Sequence, residues 1–597
     1  MSTHLDKMAL RSSDIPRREF LISLLDSSIV TSVPFLLLLF NSYWLYARYF
    51  NIDEWMYVGY GYQYFDPTFY VTNYKISRLP WVLLEALVRG AFPPLASSWI
   101  LAFGVLALGN VALYFALRIP FGRLPALFAG IFIAGLTFMH ANGGPDYHNT
   151  LAGAFYCLAM LFCARCARYA LNSRDLVFLG ASFALSVHTN PLFINLAPIL
   201  IGQYLLSYRQ THSAFPPIFP AAVLSAGGAI GATILLGLTN RAFGRQFLFF
   251  MQQFKLVSSF IADSSNQKTW WLPWSSLWFV DIPYMGVFFA GALLALTTLF
   301  IALPSRNISQ RYAFASIFSA GYVAALSIWM LWQSIGQTAL EPTYFAYPLG
   351  FPLAGAFAAA VATAIVKEVQ PLPLTIAGLV FAAAIITGAH FSDHIQALAG
   401  AFSWHSGIRV AAAFSFAFAC LMLLRCSLWL APIAIFSLCI ANGLAVFDKG
   451  AYAAANCAMN KDGYEIILDA SRILRKARIP GTQIFVFSDH GENVQPGPAC
   501  SDRQVSLGWF QAAITATGFE DIEHYWDNKT LETVDAERWG QVATTGRIAA
   551  FLTYNPARIS VLRDKLVAAG AKPGEARLFI LHEGGITLPL YLVPFSR

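Results

Sequence analysis

Residues 29–55 have the sequence IVTSVPFLLLLFNSYWLYARYFNIDEW, an apolar run that ends at the acidic pair Asp53 and Glu54. About 20 consecutive apolar residues are enough for a helix to cross the hydrocarbon core of a bilayer. We therefore predict a first membrane span at 29–49, with the two carboxylates directly outside it. Ionisable groups are costly to place at a membrane, so the pair indicates a functional site.

The composition of the whole chain indicates the same class. Of its 597 residues, 57% are hydrophobic and 12% are charged, whereas soluble domains carry about 25% charged residues. We predict an α-helical polytopic membrane protein with about 13 transmembrane helices. The fifth and sixth share one apolar stretch, divided where Asn190 precedes Pro191. The expected spans are 29–49, 96–117, 124–140, 148–168, 176–188, 190–207, 218–238, 283–303, 312–332, 346–365, 372–390, 408–425 and 428–446.

Basic residues give the expected orientation. Residues 1–20 are polar and basic, and no cleavage site follows a short apolar core, so the first span is expected to remain as an anchor. The other basic residues lie mostly in every second loop between the spans. The positive-inside rule places these loops in the cytoplasm. The remaining loops then face outward from the inner (plasma) membrane toward the periplasm, at 50–95, 141–147, 239–281, 333–345 and 391–407. The net charge of +7 reflects topology, and no nucleic-acid partner is expected.

The last 150 or so residues change character, since they hold most of the Asp, Glu and Lys of the chain. Buried strands are predicted at 483–488, 548–554, 578–581 and 588–593, with helices at 464–476 and 556–569. We therefore predict two domains, a transmembrane domain at 1–446 and an outward-facing C-terminal α/β soluble domain at 447–597. Cys457 and Cys500 lie in the second, as a disulfide or as two free thiols.

Asp53 and Glu54 are the first candidate catalytic residues. The aromatic loop around them would partly desolvate both carboxylates, which favours base chemistry. We expect Asp53 to act as the base and Glu54 as a helper or metal ligand. The alternative is a solvated helix end. Tyr64 of the same loop is a candidate substrate contact.

The second candidate site is Asp146, followed closely by His148, before the fourth span. Asp146 is predicted to be catalytic, and the alternative is an N-terminal helix cap. His148 could bind substrate or shuttle a proton. A divalent metal ion held by Asp53, Asp146 or His148 is the one cofactor that the sequence leaves open.

Lys75 and Arg78 form the third element, at the end of the first outward loop. Arginine presents a fork of donors to phosphate oxygens, so the pair is predicted to hold a phosphate. The alternative is that both side chains extend from an apolar surface into water. Glu341, in a later outward loop, is a further candidate substrate contact. No phosphate-binding glycine loop or serine-nucleophile motif occurs in a credible context, which disfavours ATP-driven transport.

These motifs resemble, in order and spacing, the GT-C glycosyltransferase superfamily, and within it the aminoarabinose-transferase and protein O-mannosyltransferase-like branch. The resemblance covers roughly residues 25–210 and rests on Asp53, Glu54, the Ser77–Trp81 segment and Asp146. It implies transfer of a sugar from a polyprenyl-phosphate carrier to a lipid, glycan or protein acceptor on the outer face. It also implies that Asp53 or Glu54 is an essential acid, with Asp146 as a second, and that Lys75 and Arg78 hold the carrier phosphate.

Two other classes stay open from the sequence. The chain could transport or flip a lipid-linked saccharide, with acids near the bilayer midplane as coupling sites. It could also be a non-catalytic envelope-assembly protein. Catalysis predicts instead that Asp53, Asp146 and Arg78 lie close together at the outer interface.

Overall fold

The computed structural model describes most of the chain, with gaps that include the regions of the eleventh to thirteenth predicted spans. The described residues are 17–40, 45–46, 52–65, 74–136, 139, 146–169, 172–255, 282–305, 309–334, 347–365, 373–374, 376–378, 380, 461–479, 482–489, 493–494, 505–517, 531, 534, 536–583 and 586–597. Glu341, Cys457 and Cys500 lie outside them, and the predictions on these residues stay predictions.

The protein is a mostly helical, multi-pass membrane protein with a small C-terminal sheet. Among the described residues, seven helices are long and apolar enough to cross a membrane. The first half of the chain forms α1 (Arg17–Phe40), α2 (Ile52–Gln63), α3 (Leu79–Ala91), α4 (Pro94–Trp99), α5 (Val105–Phe121), α6 (Arg123–Gly135), α7 (Asn149–Arg168), α8 (Ser173–Thr189), α9 (Ala197–His212) and α10 (Ile218–Ala242). It continues with α11 (Ile282–Ser305), α12 (Gln310–Ser334) and α13 (Gly350–Ile365). A π-helical turn, Ile100–Gly104, joins α4 to α5, so that the two form one span.

The first helix begins before the predicted first span at 29–49. Helix α1 begins at Arg17, and its stretch Glu19–Leu36 is long and apolar enough to cross a membrane, whereas part of the predicted span lies outside the described residues. Polar residues of this stretch have hydrogen-bond partners. Arg123 and Tyr114 both donate to the Asp26 carboxylate, and Ser28 donates to the carbonyl oxygen of Leu24 in its own helix. Hydrogen-bonded polar groups of this kind are tolerated inside a membrane.

The first outward loop, predicted as an irregular aromatic segment, contains two helices. Helices α2 and α3 pack against each other, and the side chains of Tyr57, Tyr60 and Tyr64 are fully buried between elements. Asp53 and Glu54 lie in the first turn of α2, where the helix dipole stabilises carboxylates. The periodic tyrosines therefore mark a buried helix face.

The break between the fifth and sixth spans is confirmed. Helix α8 ends at Thr189, and a 3₁₀ turn, Pro191–Leu196, leads into α9. The side chain of Asn190 accepts a hydrogen bond from the backbone nitrogen of Leu192 and donates to Asn149 of α7 at 2.7 Å. These bonds satisfy the polar groups that the break exposes.

The C-terminal region has the predicted alternation of strands and helices. It contains α14 (Lys461–Ala477), β1 (Gln483–Ser488), β2 (Asn493–Val494), β3 (Val505–Ser506), α15 (Leu507–Ala516), α16 (Ala536–Thr545), β4 (Gly546–Leu552), α17 (Arg558–Ala568), β5 (Lys572–Pro573), β6 (Arg577–Glu583) and β7 (Ile586–Ser596). Strands β1 and β4 pair in parallel, and β7 pairs antiparallel with β4, β5 and β6. One hydrophobic core continues from this region into α2 and α3, which places the tail directly against the candidate site.

Candidate active site

Local sequence fixes the frame of the site. A 3₁₀ turn, Tyr74–Ser77, precedes α3, and Arg78 at the helix N-cap donates its backbone N–H to the carbonyl oxygen of Lys75 at 3.1 Å. Pro80 then falls in the first turn of α3, where its missing N–H has no cost. The turn and the helix start therefore present Lys75 and Arg78 at one end of α3.

Asp53 and Lys75 form an ion pair between their carboxylate and ammonium groups. The Asp53 side chain is 32% exposed and the Lys75 side chain 12%, so a polar ligand can reach both. The Lys75 ammonium also lies 3.7 Å from Sδ of Met56, one turn along α2. The predicted base and one predicted phosphate ligand are thus in direct contact.

Arg78 is buried, and two of its partners are Tyr57 and His148. Its Nη1 donates to the hydroxyl oxygen of Tyr57 at 2.6 Å, and it lies 2.8 Å from Nδ1 and 2.6 Å from Nε2 of His148. Burial, followed by the nearby charges of Arg78 and Lys75, lowers the pKa of His148 well below its ordinary value. His148 is therefore neutral at pH 7 and accepts from the guanidinium. These contacts fix the position of the Arg78 guanidinium.

Asp146 takes part in a second, fully buried group. Its Oδ1 forms an ion pair with Nη2 of Arg89, near the end of α3, with both side chains inaccessible to solvent. Nη1 of Arg89 donates to the hydroxyl of Tyr464 at 3.0 Å, and this hydroxyl donates to Oδ2 of Asp146 at 3.4 Å. Asp146 has a φ of 52°, a left-handed conformation that L-residues adopt only when their surroundings hold them there.

Glu85, one turn before Arg89, completes the buried group. Its Oε1 lies 3.7 Å from Nη2 of Arg89, and neither carboxylate oxygen has a hydrogen-bond partner among the described residues. Burial raises the pKa of Glu85 well above its ordinary value, with the charge of Asp146 adding to the effect and Arg89 opposing it. The raised pKa favours the neutral form of Glu85 relative to an exposed carboxyl.

The structure also bears on the alternatives given for Asp146 and Glu54, and on the surroundings of Tyr64. Asp146 is not the helix cap that was considered, because α7 begins at Asn149 with His148 at the cap position. Glu54 is fully buried, so it is not a solvated helix end. Tyr64 is also buried and donates its hydroxyl to Oδ1 of Asn240 at 3.0 Å, which makes it a contact between α2 and α10 in this structure.

Sequence reasoning missed Glu85, Arg89 and Tyr464. Glu85 and Arg89 are four residues apart in α3, a spacing more common in solvated surface pairs. Their neighbours Leu84 to Val88 are apolar, which was the available signal for burial. Tyr464 lies 318 residues from Asp146 in the chain, and no local pattern connects them.

The predicted metal ligands are poorly suited to a divalent metal ion. Asp53 contacts Lys75, Asp146 contacts Arg89, and His148 contacts Arg78, so each candidate ligand already has a cationic neighbour. In the part of the chain that the structure describes, no three His, Cys, Asp or Glu side chains are grouped as a metal site. We derive no chemical step through a metal.

The fold is similar to a solved structure over nearly its whole length. This is the structure of ArnT from Cupriavidus metallidurans bound to undecaprenyl phosphate, with a TM-score of 0.50 and 13% sequence identity, over 96% of this chain and 98% of that chain. The same protein in the apo state gives a TM-score of 0.48 at 13% identity, over 95% and 97% of the two chains. No family model and no curated protein sequence matches the chain. The likeness shows that this chain has the fold of ArnT, with its many helices and a small C-terminal sheet, and it shows the fold alone.

Proposed function

We propose that the protein is a membrane glycosyltransferase that moves a sugar from a polyprenyl-phosphate carrier to an acceptor. The observation that carries the proposal is the contact between Asp53 and Lys75, partly exposed and beside the buried cation Arg78. An acid and two cations in this arrangement suit a reaction in which a hydroxyl loses a proton and a phosphate leaves. The GT-C fold supports the same chemistry, since the similar ArnT was solved with undecaprenyl phosphate bound.

The carrier phosphate would first engage the cations. Arg78 is fixed by Tyr57 and His148, and charge-assisted hydrogen bonds from arginine to phosphate are among the strongest in proteins. Lys75 would transfer its ammonium from Asp53 to an oxygen of the donor phosphodiester, whose single negative charge increases to two as the sugar leaves. This exchange frees the Asp53 carboxylate when the donor is bound, and only then.

Asp53 would then act as general base. It accepts the proton of the acceptor hydroxyl while the hydroxyl oxygen bonds to the anomeric carbon, and the bond from that carbon to the carrier phosphate breaks. Lys75 and Arg78 stabilise the negative charge that develops on the leaving phosphate. A single displacement of this kind inverts the anomeric configuration. Glu54, buried beside Asp53, is assigned a supporting role.

The proposed setting is the outer face of the inner (plasma) membrane. The site lies at α2 and α3, in the loop that the distribution of basic residues places outside the cytoplasm. The acceptor is a lipid, a glycan or a protein, and the sugar is a hexose or a pentose. Glu341 and Tyr64 remain proposed substrate contacts.

The test is sugar transfer in membranes from cells that lack the native gene. Radiolabelled polyprenyl-phosphate sugars are supplied to membranes that contain wild-type protein, Asp53→Asn or Arg78→Lys at equal amounts. We expect label on an acceptor with wild type, loss of more than 100-fold with Asp53→Asn, and the opposite anomeric configuration in the product. Lipid-linked sugar that moves between leaflets without transfer would replace the proposal with transport. A product with retained configuration would exclude the single displacement.

A further inference from the structure

Helix α3 holds the turn at residues 146–148 at two points. Arg78, at its start, contacts His148, and Arg89, eleven residues later, contacts Asp146. Eleven residues of α-helix span about 16 Å. The long side chains of Arg78 and Arg89 therefore reach toward each other from the two ends of α3 to contact His148 and Asp146. Any shift of Asp146 is therefore transmitted to His148, the residue that positions Arg78.

Tyr464 connects this turn to the helix that carries Asp53. Its ring lies between the rings of Tyr46 and Trp55, with centroid distances of 5.1 and 5.4 Å. Trp55 is two residues after Asp53 on α2. The Tyr464 hydroxyl reaches Arg89, Asp146 and, at 2.9 Å, Oγ of Ser98. Burial raises the pKa of this hydroxyl well above its ordinary value, so it stays protonated.

We propose that Asp146, Arg89 and Tyr464 form a positioning cluster. This cluster holds Arg78 and Asp53 in the relative positions that the reaction needs. Tyr464 is the contribution of α14, from the C-terminal region, so this region completes the active site. The proposal rests on the proposed function, and it revises the prediction that Asp146 is catalytic.

The surroundings of Asp146 do not suit a general base. Its side chain is inaccessible to solvent, and a fully buried guanidinium binds it. A general base must reach the proton that it removes, directly or through one water. Asp53, with an exposed fraction of 32%, meets this requirement, whereas Asp146 does not. A carboxylate fixed in this way is suited to orient its neighbours.

The experiment uses full-length protein in lipid nanodiscs, with the variants Tyr464→Phe, Arg89→Lys and Asp146→Asn. The matched controls are Tyr554→Phe, which removes a tail hydroxyl that donates to Thr587, and Arg558→Lys, which alters a tail arginine paired with Asp489. Two quantities are measured for each: the affinity for undecaprenyl phosphate alone, and the pH dependence of sugar transfer. Thermal unfolding is recorded to verify folding, and Tyr464→Phe is the variant that disturbs packing least.

We expect Tyr464→Phe and Arg89→Lys to weaken undecaprenyl phosphate binding about tenfold, since each loses a hydrogen bond to a charged group. The controls should bind like wild type. Asp146→Asn should slow transfer and keep the shape of the wild-type pH profile, because a positioning residue takes no part in the proton transfer. A changed pH profile in Asp146→Asn, or wild-type affinity in both cluster variants, would overturn the inference.

Failure of the proposed function gives a different result. If no donor supports transfer, while the cluster variants still bind undecaprenyl phosphate more weakly than the controls, the function fails and the positioning role stands. If wild-type protein does not bind undecaprenyl phosphate, both are wrong.

Discussion

At the scale of single residues, the candidate site consists of charges whose partners come from different segments. The sequence predicted that Asp53, Asp146 and Arg78 lie close together at the outer interface, with Lys75 and Arg78 as a pair of cations. It did not predict that Lys75 would contact Asp53 directly. It also could not show that Asp146 pairs with Arg89, since that pairing depends on how α3 and α7 lie in space.

Glu85 gives a prediction about a buried acid. Burial raises the pKa of Glu85 well above its ordinary value, which favours the neutral carboxyl, and Glu85→Gln puts a neutral side chain of the same shape in its place. We expect transfer activity within about twofold of wild type. The matched variant Glu85→Ala leaves a void beside Arg89 and should unfold at lower temperature. Activity at least tenfold lower in Glu85→Gln would show that an ionised Glu85 is required.

The same residue should make stability depend on pH. An acid with a raised pKa in the folded protein contributes stability below its unfolded pKa and loses it as pH rises through the folded pKa. Wild-type protein should therefore become less stable as pH rises above about 4.5, up to the folded pKa, and Glu85→Gln should show a smaller decrease. Thermal unfolding in nanodiscs across this range measures the difference. Equal slopes for both proteins would contradict the assignment.

The contacts of the candidate ligands predict that the reaction needs no divalent metal. Asp53, Asp146 and His148 each have a cationic neighbour, which disfavours a divalent cation at the same place. Purified protein treated with EDTA and dialysed should keep its transfer rate within about twofold. Loss of activity that Mg²⁺ or Mn²⁺ restores would contradict this and would require a rearrangement of the ion pairs.

At the scale of elements, α1 begins before the predicted first span. A run of apolar residues was sufficient to predict that a first span exists. The helix extends back past Asp26, a polar residue whose carboxylate is bound by Arg123 and Tyr114. Partners supplied by other helices cannot be read from local composition.

Asp26→Asn tests this contact. The variant keeps the shape of the side chain but loses the charge that binds Arg123 in two places. We expect a loss of about 1.5–3 kcal/mol in the free energy of unfolding, the range for hydrogen bonds to charged groups. Ser28→Ala, which removes a hydroxyl bonded within α1, is the control and should change stability little. Equal unfolding midpoints for the two variants would show that the Asp26 pair does not hold α1.

Gly59 tests the packing of α2 on α15. A Cβ at this position would lie 2.7 Å from the carbonyl carbon and oxygen of Thr517, which are backbone atoms and cannot move aside. Gly59→Ala should therefore destabilise the protein by about 1–3 kcal/mol. At Gly90 of α3 no atom lies within 4 Å of the added carbon, so Gly90→Ala should be neutral or stabilising. Unfolding in mild detergent compares them, and a neutral Gly59→Ala would mean that the two helices are not in contact.

At the scale of the whole molecule, the C-terminal region is more closely integrated than its sequence suggested. Hydropathy and strand patterns predicted its α/β character and most of its elements. They did not predict that Gln63 of α2 donates to the carbonyl oxygen of Thr517 at 2.6 Å, or that Tyr464 enters the charged cluster. Such contacts join distant segments, so periodicity carries no information about them.

The central claim is that Asp53 is the base in transfer from a polyprenyl-phosphate donor held by Lys75 and Arg78. Its most direct test is single-turnover transfer by purified full-length protein, comparing wild type with Asp53→Asn at saturating donor. We predict that Asp53→Asn binds the donor at least as tightly as wild type, because Lys75 no longer pairs with Asp53, and transfers less than about 1% as fast, because the base is lost. Transfer by Asp53→Asn at a rate close to that of wild type would contradict the account.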